Sequence, residues 1–109
     1  MRIVLLNLLN KSFLKMITEL IRQKLTTELN PQLIEIIDNS AAHAGHIGAR
    51  KGGGHYHITI VAAIFESKSL VQRHQLIYAA LGDMMKDQIH ALGINALTPS
   101  EHTTGTINE

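Results

Sequence analysis

The stretch from His55 to Leu81 leaves few ways to build this chain. His55 to Ala63 is rich in β-branched residues and, if extended, divides cleanly between two faces. His55, His57, Thr59 and Val61 fall on one side; Tyr56, Ile58, Ile60 and Ala62 fall on the other. The second set is the more apolar and is expected to face the core. Phe65 ends the run, a short turn follows, and Ser69 then stands three residues before Gln72. Ser at an N-cap with Gln at the third helical position makes a capping box, in which each side chain takes up a backbone N–H of the other residue. Such a cap is worth about 1 kcal/mol. Beyond it, Leu70, Val71, His74, Ile77, Tyr78 and Leu81 recur at helical spacing and predict one largely apolar face. Arg73, lying between them, is expected to reach solvent or a partner.

The remaining elements follow from the same periodicities. Residues 17–29 read as a helix with Thr18 as N-cap, Ile21, Leu25 and Leu29 on one face, and Asn30-Pro31 as the stop. Leu33 to Asp38 reads as a strand buried on at least one side. Residues 39–54 form a long loop of Asn, Ser, Ala, His and Gly, ending in Arg50-Lys51-Gly52-Gly53-Gly54; a loop of that length is usually functional or mobile. The central helix runs from about Leu70 towards Lys86, with Gly82 a break point, and Ala91 to Leu97 reads as a third strand. The expected order is α-β-β-α-α-β. That is an α+β, two-layer domain with a small mixed three-stranded sheet and helices packed on one face.

The two termini stand apart. Residues 1–15 have an apolar run after Arg2, but Asn7 and Asn10 interrupt it and no small-x-small cleavage site follows. The run is also too short to span a bilayer. We read it as an N-terminal extension that frays or adds an amphipathic turn or two, not necessarily native, ahead of a domain over residues 16–99. Residues 100–109 are polar and read as a disordered tail.

Composition removes several function classes. The formal charge of +1 argues against a strongly electrostatic nucleic-acid binder, and the aromatic content of 4% leaves no base-stacking platform. With no cysteine there is no disulfide, no thiolate nucleophile and no thiolate metal ligand from this chain. No constellation of nucleophile, acid and base stands out, so an enzyme is not expected. Seven histidines in so small a chain are the unusual feature, because imidazole is the commonest protein metal ligand.

Four segments in order carry a family resemblance: Asp38-Asn-Ser-Ala-Ala-His43, Gly54-His-Tyr-His-Ile-Thr-Ile-Val61, Phe65-Glu-Ser-Lys-Ser-Leu-Val-Gln-Arg-His74 and Ile89-His-Ala-Leu92, followed by Thr98-Pro99. Together they resemble the BolA family over roughly residues 16–101, and Met16 begins what looks like a family amino terminus. One departure is Ser67, where the family usually has Gly. The resemblance implies a type II KH-like fold and a partnership with a monothiol glutaredoxin. In that partnership a [2Fe-2S] cluster is shared with the glutaredoxin cysteine and a glutathione thiol. It further implies that His90 is the firm ligand of this chain and His43 the loop ligand, with His46 able to substitute. A chain without thiolates can only share such a cluster, never hold one alone.

The other histidines have plainer readings. On position alone His74 is expected to be a packed, hydrogen-bonded core histidine, while the Arg73-His74 pair, characteristic of the family, is the candidate partner or nucleic-acid surface. His55 matches the family's His-aromatic pair and reads as structural. His57 could chelate an adventitious metal with His55, and His102 reads as solvated. The expected function is cluster trafficking or iron sensing in the cytoplasm, without membrane association, with a weak homodimer left open. The alternative is a KH-like DNA-binding transcriptional regulator of stress response and cell morphology, with Arg50, Lys51, Lys68 and Arg73 on phosphates. Against it, no Gly-x-x-Gly clamp stands between the helices. A third reading is a stand-alone metal site built from His43, His46, His55 and His57.

Overall fold

The computed structural model describes residues 2–40 and 53–104, with side chains from Lys15 onward. In chain order the elements are α1 (Arg2–Leu29), β1 (Leu33–Asp38), β2 (Gly54–Val61), a single 3-10 turn (Ala63–Phe65), α2 (Leu70–Leu81), α3 (Met84–Asp87), β3 (Ile89–Leu97) and α4 (Pro99–Thr104). The sheet runs β1-β2-β3, with β1 antiparallel and β3 parallel to β2. The expected α-β-β-α-α-β order and mixed three-stranded sheet are therefore present.

The core forms where the period of each element predicts it. Ile17, Ile21, Leu25 and Leu29 project from α1 at four-residue intervals onto Tyr56, Ile58 and Ile60 of β2, with Phe65, Ile77, Leu81, Met84 and Ile89 closing the cluster. The opposite face of β2 carries His55, His57 and Thr59, all half-buried. That difference between the faces is what assigns helices to one side of the sheet.

Four expectations are corrected. Thr18 is not an N-cap, since α1 continues without a break to Arg2. Residues 2–15, expected to fray or to add an amphipathic turn or two, run on into residues 17–29 as one helix of 28 residues. In α2 the buried residues are Arg73, Ile77 and Leu81. Leu70, Val71 and Tyr78, part of the predicted apolar face, are 65%, 66% and 42% exposed. Residues 100–104, assigned by composition to a disordered tail, belong to the helix Pro99–Thr104. The capping box at Ser69 forms as expected: the Gln72 N–H donates to Ser69 Oγ at 3.2 Å and the Ser69 N–H donates to Gln72 Oε1 at 2.9 Å.

The turn before α2 has a feature of its own. Ser67 adopts φ +62, so the backbone conformation suited to glycine is kept although serine occupies the position.

Candidate functional site

One end of the sheet gathers the residues that carry chemistry. The carboxyl end of β1, the amino end of β2 and the amino end of β3 lie together there. The Ser40 N–H donates to Asp38 Oδ1 at 2.8 Å, making an Asx-type turn. The His55 N–H donates to Ser40 Oγ at 3.1 Å, and the Asn39 N–H donates to the His55 carbonyl at 2.7 Å. The segment that begins at Ser40 is thereby tied to His55. Tyr56 points the other way, into the core. Burial and the Asp38 carboxylate push its phenol pKa up, against the pull of a Ser40 hydrogen bond, so it stays neutral.

His90 is displayed by an irregularity in the ladder. Gly54 pairs with Ile89 and His55 with Ala91, so His90 is an extra residue on β3. Such a bulge re-aims a side chain. Ile89 remains in the core at 2% exposure while His90 is exposed. The His90 ring meets the His55 ring with centroids 5.1 Å apart and planes tilted by 42°. Gly53 closes over the same residue. Its φ is +86, and a Cβ there would lie 2.9 Å from His90 Cβ and 3.0 Å from the Asp87 carbonyl. Both the left-handed backbone and the close approach call for glycine. The Gly54 N–H donates to the Gln88 carbonyl at 3.0 Å and fixes the strand start against the end of α3.

The other end of β3 is closed by Arg73. Its Nε donates to the Lys68 carbonyl at 3.0 Å and its Nη1 to the Ala96 carbonyl at 3.0 Å. Nη1 and Nη2 also pair with the two Glu101 carboxylate oxygens at 2.7 and 3.2 Å. Glu101 caps α4 in turn: the Thr98 N–H donates to Glu101 Oε1 at 2.9 Å and the Glu101 N–H donates to Thr98 Oγ1 at 3.1 Å. Arg73 is 8% exposed. The reading that it reaches solvent is therefore corrected, because its guanidinium is occupied by carbonyls and a carboxylate inside the fold. The Glu101 carboxyl is held below the usual carboxylate range, first by the hydrogen bond from Arg73 and then by that from the Thr98 N–H.

The other sequence-derived site residues fall as follows. His43, His46, Arg50 and Lys51 lie outside the described residues. His74 is half-buried on α2, between exposed Leu70, Val71 and Tyr78. Lys68 is half-buried and gives its carbonyl to Arg73. His57 sits against Gly93, where a Cβ would lie 2.7 Å from its ring. Among the described residues no three acidic, histidine or cysteine side chains converge as a metal site. Sequence reasoning missed Glu101 and the α4 cap, although Thr98-Pro-Ser-Glu101 spells a capping box with Pro at the first helical position. It also missed the contact between His55 and His90, which comes from the pairing of β2 with β3.

The nitrogen donors at this end are imidazoles, and with no cysteine in the chain no thiolate can join them. One exposed ring stands on a fixed backbone, which fits one ligand to an iron-sulfur group completed by thiolates from elsewhere.

A family model described as BolA-like protein matches residues 25–101. SufE-like protein 1, chloroplastic/mitochondrial, of Arabidopsis thaliana is 46% identical over 86 residues, covering 74% of this chain and 23% of that protein. The DNA-binding transcriptional regulator BolA of Haemophilus influenzae is 35% identical, covering 78% of this chain and 80% of that protein. The chain spans just over half of BolA-like protein 1 of Bos taurus (58%), to which it is 38% identical. Among solved structures, the BolA domain of SufE1 from Arabidopsis thaliana superposes with a TM-score of 0.64 at 48% identity, covering 74% of this chain and 90% of that one. No helix among the described residues is long and apolar enough to cross a membrane. With the matched residues running from the second half of α1 through β3 to Glu101, the chain belongs to the BolA-like protein family.

Proposed function

We propose that this protein is a non-enzymatic partner of a monothiol glutaredoxin, sharing a [2Fe-2S] cluster with that protein and glutathione in cluster trafficking or iron sensing. His90 supplies the firm nitrogen ligand and His43 the loop ligand, with His46 as its substitute. The observation that carries the reading is the placement of His90. A bulge and a tight glycine approach lift an imidazole out of the sheet end to which the loop bearing His43 is tied at Ser40. Imidazole can be protonated and is more labile than thiolate, which suits transfer or sensing better than storage. The proposal carries a cytoplasmic setting with it, as read from the sequence.

The test is anaerobic reconstitution of the protein with a monothiol glutaredoxin, glutathione, iron and sulfide, followed by visible circular dichroism. A one-to-one complex with a spectrum distinct from glutaredoxin alone, lost in His90→Ala, is the expected result. A spectrum identical to the glutaredoxin homodimer's would sink it. The second reading, DNA binding, is favoured by the name of the Haemophilus influenzae relative. Burial of Arg73 takes one of its four cations away from the phosphates. Salt-dependent duplex binding, weakened in Arg50 and Lys51 variants, is what that reading requires.

A further inference from the structure

We propose that His55 is the positioning residue of His90: its ring forms the wall that fixes the orientation of the exposed imidazole, while His55 itself takes no place among the ligands. This rests on the shared-cluster reading of His90.

Three observations carry it. Two residues of β3, His90 and Ala91, oppose the single His55 on β2, so the extra residue is turned onto the His55 ring at 5.1 Å. The backbone under the His55 ring is fixed, because its main-chain N–H donates to Ser40 Oγ and its carbonyl accepts from the Asn39 N–H. Its Nε2 is buried, whereas His90 is exposed. One imidazole thus stands half-buried on a fixed backbone with its Nε2 covered, and the other lies beside it and faces out. An exposed ring with no neighbour would sample several rotamers and give up that freedom on ligation. A ring already braced loses less, which is why groups behind a metal ligand commonly carry 10–100-fold of the affinity. Gly53 packs against the Cβ of His90, so the ring is bounded at its root by backbone and at its face by His55.

The experiment compares His55→Ala, His55→Phe and His90→Ala with the unaltered chain, alone and in the glutaredoxin complex. In the isolated chain, ring-carbon and ring-nitrogen NMR of His90 should shift and broaden in His55→Ala, recover towards the original in His55→Phe, and stay put in His57→Ala. In the complex, pulsed EPR of the reduced cluster should show imidazole nitrogen coupling that His90→Ala diminishes. His55→Ala should retain a coupling of altered size, and its cluster should be lost to a chelator about 10–100-fold faster. His55→Phe, which keeps a flat ring but no nitrogen, should restore most of the lifetime. Loss of coupling in His55→Ala equal to that in His90→Ala would make His55 a ligand and overturn the proposal. So would a coupling and lifetime unchanged by His55→Ala. If His90→Ala leaves the coupling intact, the cluster reading falls and takes the proposal with it. The NMR of the isolated chain then tells whether the brace exists without that use.

Discussion

At its carboxyl end β3 runs into a closed set of hydrogen bonds, whereas at its amino end it carries one residue more than its partner strand and lifts a histidine towards solvent. The carboxyl end satisfies everything it holds. Arg73 spends its donors on two carbonyls and a carboxylate, and Glu101 uses the same carboxylate to cap α4. The amino end leaves an imidazole on the surface, held in place by shape: a bulge, a glycine and a neighbouring ring. Polar groups satisfied inside a fold stabilise it, while one held ready at its surface is available to a partner.

The comparison breaks most visibly at Arg73. Arg73→Ala removes four hydrogen bonds to buried or part-buried groups, and should cost about 2–4 kcal/mol in urea denaturation. The His90 ring resonances should not move. If they do, the two ends are coupled and the contrast is wrong. Gly53→Ala is the reciprocal change. Its φ of +86 is costly for an L-residue, about 1–2 kcal/mol, and the added Cβ would push on His90. Here the His90 resonances and the shared-cluster spectrum should both change, with a smaller loss of stability than in Arg73→Ala.

Acid should separate the ends without mutation. The Glu101 carboxyl has a folded pKa below its unfolded value because Arg73 donates to it. A depressed carboxylate contributes stability that is fully present above the unfolded value of about 4.3. That contribution is lost as pH falls through the lower folded value. Stability should therefore drop with acidification below about pH 4, measured as the urea midpoint, and Glu101→Gln should flatten this part of the profile. Because the Glu101 side chain is 42% exposed, solvent screens the pair and the slope should be shallow.

These two ends also differ in how far the sequence revealed them. Local periodicity was enough for β2, for the Ser69 cap and for the face of α1 bearing Ile21, Leu25 and Leu29, since each rests on residues a few positions apart. The exposed strip of α2 was not legible, because an apolar stripe does not say which part of it meets the core. There Arg73 takes a buried position at the price of leaving Leu70 and Val71 outside. Arg73 and Glu101 lie 28 positions apart, and no pattern joins them. At the amino end, the family resemblance singles out His90, but its contact with His55 depends on the pairing of two strands 35 positions apart, which no local pattern carries. The segment that carries His43 and His46 lies outside the described residues.

The smallest effect is expected at Ser67, and it sharpens the contrast by locating strain on the latched side. Ser67 holds φ +62 in the turn between Phe65 and Ser69, where the Lys68 N–H donates to the Phe65 carbonyl at 3.1 Å. The Lys68 carbonyl then receives Arg73, so this turn sets one wall of the latch. A non-glycine residue in the left-handed region costs about 1–2 kcal/mol. Glycine would relieve that cost but raise the entropy of the unfolded chain, which takes back about 0.4–1 kcal/mol. Ser67→Gly should therefore stabilise the protein by about 0.5–1 kcal/mol, read as a higher urea midpoint with an unchanged slope. A midpoint that stays level or falls would mean that the serine offsets its own strain within the turn. In the double variant with Arg73→Ala, most of the gain should survive, because the relief is a property of the backbone and not of the guanidinium it helps to seat.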